Sequence, residues 1–426
     1  MSNNFKAEVF QNQYVPQGAD EIHAIMTVTA AEGVGAANSM LQGGRLFGII
    51  CDVSGSMEGG KIIAARNAMI QLIDLLPADC AFFVVTGQAI GNTLCPMMLA
   101  TQDAKARAIA AVRQIKAGGS TCISFWLKAA LDQFRLAPNA MRQALLLTDG
   151  QNEGHDEDPL KAALKQCEGV FQCDCRGVGT DWKVDELRLI AGVLLGTVDI
   201  IAQAAQMEMD FKRILAKALG KSVGDVSLRL WAPAGAQILF CKQVSPEIVD
   251  LTTRMRQVSP QVREYPTGAW GKNETRDYHF CIKVKAGNVG DEVLAGRASL
   301  VYTLDRVENK GAEARILAIW TDDEAKSAKI DRVVAHYTGQ ADLADSIQQG
   351  LDARARGDLD QATALLGKAV RVAHASGNEA TEKLLRGVVD VQDAETGTVR
   401  LRADVAKEDE MALNTRSTKT TRLTRS

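Results

Sequence analysis

Between residues 45 and 220 unbroken apolar runs alternate with runs whose apolar residues recur every three or four positions. The unbroken runs (46–51, 80–86, 142–148, 169–178 and 196–202) predict buried strands. The periodic runs (61–76, 102–115, 123–134, 159–167, 184–193 and 204–219) predict helices with one apolar face. Residues 92–98 predict a short antiparallel strand at the sheet edge. Asp158 followed by Pro159 predicts a helix start, with Asp as N-cap and Pro at the first helical position. Such alternation predicts an α/β domain over 45–220, a doubly wound and mostly parallel sheet covered by helices on both faces.

The pattern changes on either side. In 1–44, residues 21–30 alternate as a strand does, and 33–44 is small-residue rich like a linker. That strand lacks a partner within 45–220 and is expected to pair with the β-rich segment that follows. Over 221–322 the runs 226–231, 236–241, 278–284 and 298–302 are separated by Gly, Pro, Asn and Asp without intervening helices, which predicts an antiparallel β-sandwich. Residues 323–405 turn helical. The stretch 357–369 looks like part of one tetratricopeptide repeat, but a single unit cannot bury its own apolar face. It is expected to form a helical hairpin packed on the sandwich, followed by a final strand near 396–402. From 406 to 426 apolar residues are few, and hydroxyls interleave with bases after Glu410. This predicts a disordered tail, with Thr418, Thr420 and Thr421 as phosphorylation candidates.

Composition narrows the function classes. Among 426 residues, 46% are hydrophobic and the formal net charge is −3, which argues against general nucleic-acid binding. No apolar run reaches a membrane span, and the first residues lack the basic head and apolar core of a secretory signal. The nine cysteines are odd in number and scattered, mostly within apolar runs. They read as reduced and buried, fitting a cytoplasmic protein. Cys167, Cys173 and Cys175 have no fourth ligand at zinc spacing and read as core. The five histidines join no nucleophile motif, and no Gly-x-x-x-x-Gly-Lys-Ser/Thr loop is present. The expectation is therefore a non-enzymatic protein.

Three loops carry the chemistry. Asp52-Val53-Ser54-Gly55-Ser56 follows the first strand of the α/β segment. Gly118-Gly119-Ser120-Thr121 precedes a helix, and Thr148-Asp149-Gly150 directly follows a strand. Sites in open parallel sheets form at the C-terminal ends of strands. Two carboxylates and three hydroxyls are hard oxygen donors suited to a hard divalent cation, Mg²⁺ first, with Mn²⁺ or Ca²⁺ as alternatives.

In order and in strand–loop context, Asp52, Ser54, Ser56, Thr121 and Asp149 resemble the metal-ion-dependent adhesion site of von Willebrand factor type A domains, with no ligand replaced. The loop 177–182 resembles the one after the fifth strand type of those domains, so the resemblance covers roughly 45–215. It implies that Ser54 and Ser56 bind the ion directly and that the aspartates act through water. A Glu or Asp of a partner protein completes the coordination. The loops at 57–60, 87–92 and 151–158 are candidates to read that partner. His155-Asp156-Glu157-Asp158 could hold a second cation or repel acidic partners, but reads as a solvated acidic loop and helix cap. The tail resembles those of bacterial von Willebrand A proteins found alongside kinases, phosphatases and forkhead-associated domains, which implies an adaptor in signalling or stress response. An alternative is an accessory subunit of a MoxR-like or chelatase-like AAA+ ATPase. A phosphohydrolase with Asp52 as nucleophile fits poorly, because Ser54 stands where haloacid-dehalogenase-like enzymes carry a second Asp.

Overall fold

The computed structural model describes residues 4–32, 44–304 and 307–423. Apart from Gly44, the expected linker lies outside the described residues. The chain divides into two compact units, one within Ala37–Lys221 and the other within Met1–Ala36 and Ser222–Ser426. Three strands open the chain and belong to the second unit: β1 (Phe5–Gln11), β2 (Tyr14–Pro16) and β3 (Glu21–Ala30).

The first unit runs β4 (Arg45–Asp52), α1 (Gly60–Leu75), β5 (Cys80–Gly87), β6 (Gly91–Leu99), α2 (Gln102–Arg113) and α3 (Ile123–Arg135). It continues with β7 (Met141–Thr148), α4 (Glu157–Cys167), β8 (Gln172–Val178), α5 (Val184–Val193), β9 (Val198–Ile201) and α6 (Met207–Leu219). The sheet order is β6-β5-β4-β7-β8-β9. All neighbours are parallel except edge strand β6, which runs antiparallel to β5. Strand side chains alternate between faces. Phe47, Ile49 and Cys51 of β4 therefore join Ile62, Ala65 and Met69 of α1 and Phe211 of α6 in one buried layer. On the other face Gly48 leaves room for Phe83 and Phe134, since a Cβ there would lie 2.4 Å from the Phe83 ring. Because β5 and β7 flank β4 on opposite sides, the chain reverses direction across the sheet at β4. The crevice beyond its C-terminal end is where such sheets bind ligands. That position holds Asp52.

One helix start differs from the sequence expectation. Helix α4 begins at Glu157, after a 3-10 turn at Gly154–Asp156. Asp158 and Pro159 are thus already helical, and proline is tolerated there because first-turn N–H groups have no intrahelical partner.

The second unit adds β10 (Lys221–Trp231), β11 (Gln237–Ser245), β12 (Val249–Asp250), β13 (Arg256–Ser259), β14 (Val262–Gly271), β15 (Thr275–Lys283), β16 (Glu292–Leu304) and β17 (Val307–Thr321). Two sheets result, ordered β1-β3-β15-β11-β12 and β13-β14-β10-β16-β17-β2. The strand at 21–30 pairs antiparallel with β15 over its length. Between the sheets lies a core that includes Phe5, Leu228, Leu230, Trp270, Phe280 and Trp320. The short β2, invisible to pattern reading, adds parallel to β17.

Beyond the sandwich come α7 (Glu324–Ser327), α8 (Arg332–Ala355), α9 (Leu359–Ala375), α10 (Glu379–Val388), β18 (Val389–Asp393), β19 (Thr398–Leu401) and α11 (Lys407–Arg416). The expected hairpin is larger than two helices. Helices α8, α9 and α10 share a core with Val389 and Leu413, which solves the burial problem of a lone repeat. The expected final strand is half of the β18–β19 hairpin.

The tail is also more ordered than its composition suggests. Residues 407–416 are helical, with Leu413 and Thr415 buried. The next residues lie along the sandwich. Thr420 N–H donates to the Pro246 carbonyl at 3.1 Å, and Ile248 N–H donates to Thr418 at 2.8 Å. Backbone pairing and a few anchors, rather than an apolar stripe, order this segment.

Candidate metal centre

Asp52 ends β4 and is fully buried. Its Oδ1 accepts the Ser54 N–H at 2.7 Å and its Oδ2 accepts the Thr148 hydroxyl at 2.5 Å. Both carboxylate oxygens are therefore fixed, one by Ser54 in the loop after β4 and the other by Thr148 at the end of β7. After Asp52 the chain turns through a 3-10 segment, Gly55–Met57, into α1. The turn is tied to the glycine-rich loop, where Gly55 N–H donates to Gly119 at 2.9 Å and Gly118 N–H donates to Val53 at 2.8 Å. Gly119 needs its positive φ of 84° for this approach.

The three loops meet. Ser54 Oγ lies 3.0 Å from Ser56 Oγ, and the Ser56 hydroxyl donates to Asp149 Oδ1 at 2.6 Å. Thr121 closes the ring from the far side. A Cβ placed on Gly150 would lie 3.2 Å from both Ser56 Oγ and Thr121 Oγ1, and 4.0 Å from Asp52 Oδ2. All five residues singled out in the sequence thus come together at one sheet edge. Asp52, Ser54, Thr121 and Asp149 are buried, while Ser56 faces solvent. Burial pushes the Asp52 carboxyl up, and nearby Asp149 adds to this, against hydrogen bonds from Ser54 and Thr148 that pull it down. Two buried carboxylates beside three hydroxyls form an all-oxygen set that fits a hard divalent cation, whose charge would offset that crowding.

Four further residues support the centre in roles that the sequence does not show. Lys61, the second residue of α1, places Nζ 2.5 Å from Asp149 Oδ2 and 4.0 Å from Asp181 Oδ2. Thr148 holds Asp52. Asn152 Oδ1 accepts the Ile123 N–H at 2.9 Å, while its own N–H donates to Glu186 at 3.1 Å. His155, Glu157 and Asp158 are exposed, as expected of a solvated loop, but Asp156 is buried: it accepts the Ser124 N–H at 2.9 Å and also the Ser124 hydroxyl. This carboxylate caps the start of α3 and so fixes the Thr121 loop. Asp156→Ala is expected to lower stability by about 2–3 kcal/mol, since hydrogen bonds to a charged, buried acceptor are lost. Urea unfolding checks this, with Ser124→Ala alone costing less.

The other sequence candidates lie elsewhere in the chain. Cys167, Cys173 and Cys175 are buried, and all nine cysteines are free thiols. Trp182 packs on Gly177, where a Cβ would lie 1.9 Å from the indole. Thr418, Thr420 and Thr421 are far in sequence from the metal face and sit in the other unit. Thr418 donates to Glu247 at 3.1 Å and Thr420 to the Val244 carbonyl at 2.7 Å, and the Thr421 hydroxyl oxygen is buried.

A doubly wound sheet with this loop set at its switch point defines a von Willebrand type A domain. The family profile for that domain matches residues 48–200, and the profile for the von Willebrand factor type A C-terminal domain matches residues 371–417. A solved von Willebrand factor type A protein from Catenulispora acidiphila is 43% identical, covering 99% of this chain and 98% of its own, at a TM-score of 0.92. The ArnB paralog VWA2 from Sulfolobus acidocaldarius shares the fold at 12% identity and a TM-score of 0.62, with 98% of each chain covered. A curated protein of Synechocystis sp., itself uncharacterized, is 28% identical over 221 residues. That match spans 50% of this chain and about half, 52%, of the curated relative. The chain belongs to the von Willebrand factor type A family. Domains of this class are in general metal-dependent protein-interaction modules without catalytic activity. Among the described residues no helix is long and apolar enough to cross a membrane.

Proposed function

We propose that Asp52, Ser54, Ser56, Thr121 and Asp149 hold one Mg²⁺ and that a carboxylate of a partner protein completes its coordination. The observation that carries this reading is the closure of the ring: Ser54–Ser56 at 3.0 Å, Ser56–Asp149 at 2.6 Å, and Thr121 facing Ser56 across Gly150. Mg²⁺ takes about six oxygens at roughly 2.1 Å and keeps water where protein ligands are missing. The aspartate oxygens are already engaged by Ser54, Thr148, Ser56 and Lys61. This favours direct ligation by the hydroxyls, with the aspartates acting through water.

Charge selects the partner. Two carboxylates offset the ion, Lys61 is paired with Asp149 and Asp181, and the position left open on the cation suits an anionic ligand. Exposed apolar groups flank the site: Ile90 is 64% exposed in the loop after β5, and Phe125 is 44% exposed in the first turn of α3. Gln88 joins these loops to the centre, accepting the Cys122 N–H at 3.1 Å. The partner is therefore an acidic side chain set beside an apolar patch. Mn²⁺ relaxometry tests this. A Glu-containing partner segment should displace bound water and lower the proton relaxation enhancement, and its Gln counterpart should not. Equal effects of the two would remove carboxylate recognition from the account.

The signalling role is carried by the tail. A phosphate on Thr418 would lie against the Glu247 carboxylate and repel it. In this reading modification releases the docked tail to a phosphopeptide-binding partner of an adaptor system. Thr418→Glu is expected to increase protease cleavage after residue 416 several-fold over wild type, while Thr418→Val leaves it near wild type.

A further inference from the structure

A second group of metal-binding side chains lies in the sandwich unit, outside the centre described above. In the β3–β15 register His23 stands directly opposite Cys281, and Ile25 opposite His279. Residues two apart in a strand share a face, so Glu21, His23, His279 and Cys281 gather on one side of the sheet. His23 Nε2 lies 3.7 Å from Cys281 Sγ. The ligand atoms of Glu21, His23 and Cys281 all fall within 4.8 Å of one another. A tetrahedral zinc ion with Zn–S about 2.3 Å and Zn–N about 2.0–2.1 Å places sulfur and nitrogen roughly 3.6 Å apart. The observed separation, that of a thiol–imidazole hydrogen bond, also matches two ligands on one ion.

The second histidine sets the first. His23 Nδ1 lies 3.1 Å from His279 Nε2. When Nδ1–H donates there, the lone pair of His23 remains on Nε2, the atom that faces Cys281. A ligating histidine held by its other ring nitrogen is the usual support of a metal site. A neutral His279 ring can accept that hydrogen through Nε2. Phe240, paired opposite Cys281 on β11, stacks edge-on against His279 at 4.9 Å and shields the buried sulfur. Glu21 is exposed at the outer end, and neighbouring Lys283 is held by Asp20 at 3.1 Å.

We propose that Glu21, His23 and Cys281 form a zinc site, with His279 as the positioning residue for His23 and a fourth position open to solvent. Binding replaces the Cys281 S–H bond by S–Zn and releases one proton to water. Three protein ligands with one open position leave room for a water or an exogenous anion.

Co²⁺ titration of the full chain carrying Asp52→Ala, which removes the first centre, tests the site. The expected result is a near-ultraviolet thiolate-to-cobalt charge-transfer band, displaced by one Zn²⁺ per chain. Adding Cys281→Ser should abolish the band and weaken zinc binding by more than about 100-fold. Glu21→Gln, at an exposed position that does not threaten folding, should keep the band and weaken zinc binding by roughly 10–100-fold. Absence of the band in the Asp52→Ala chain, its survival in Cys281→Ser, or unchanged zinc affinity in Glu21→Gln would overturn the proposal.

Discussion

Stripped of divalent metal, the wild-type protein is expected to lose thermal stability relative to Asp52→Asn as the pH rises above about 4. The sign follows from burial. The Asp52 carboxyl titrates above its usual value in the folded chain, while in the unfolded chain it titrates near its ordinary value of about 3.9. Between the two, the folded state keeps a proton that the unfolded state has released, so raising the pH favours unfolding. The favourable contribution is complete below the unfolded pKa and is lost as the pH climbs through the folded one. Mg²⁺ should reverse the cost at neutral pH. At about 100 times its dissociation constant it would add about 2.7 kcal/mol to stability, which for a unit of this size is about 5–10 °C. Asp52→Asn should lack both this contribution to the pH dependence and the metal-dependent gain. Calorimetric scans at pH 5 and 8, with chelator and with Mg²⁺, measure both.

Asp277→Ala should be among the most damaging single changes in the sandwich unit. Asp277 is 1% exposed, yet it accepts from Tyr337 at 2.6 Å, from Arg422 at 3.0 Å, and from the Thr27 hydroxyl. One carboxylate thus joins β15, β3, α8 and the tail. Its removal leaves two buried hydroxyls without their acceptor, at about 1–3 kcal/mol each. The expected total is about 3–5 kcal/mol, read as a shifted denaturation midpoint. The tail should also become a protease target, because Arg422 loses its anchor. Tyr337→Phe, which removes one donor only, should cost about 1 kcal/mol and leave the tail docked.

The contrast between these two sites explains what the sequence could and could not reveal. The metal face was legible because its residues sit at strand ends in a fixed spacing, so residue type and position coincide. The roles of Lys61, Thr148 and Asp156 were not, because each acts through a contact across 32 to 96 positions of chain or a helix start displaced by a turn. The α/β unit announced itself through its change of period, and most of its strands and helices fall near the predicted spans. The second unit hid more. Its long β16 and β17 are interrupted by Gly, Asn and Glu, so only the middle of β16 was apolar enough to read. Helix α11 buries just Leu413 and Thr415 and carries Lys, Asp and Glu elsewhere, so composition pointed to disorder. Its order comes from tertiary contacts such as Gln348 donating to Ser417 at 2.8 Å. Histidines 23 and 279, scattered in sequence, meet only because β3 pairs with β15 across some 250 residues.

The central claim is that three hydroxyls and two carboxylates at the end of β4 bind one divalent cation. Calorimetric titration of the full chain with Mg²⁺ and Mn²⁺ tests it most directly, with Asp52→Ala and Ser54→Ala/Ser56→Ala alongside. The account predicts one bound ion in the wild type and none at this face in either variant, with the fold retained by circular dichroism. Binding that persists unchanged in Ser54→Ala/Ser56→Ala, or a wild-type chain that takes up neither ion, would contradict it.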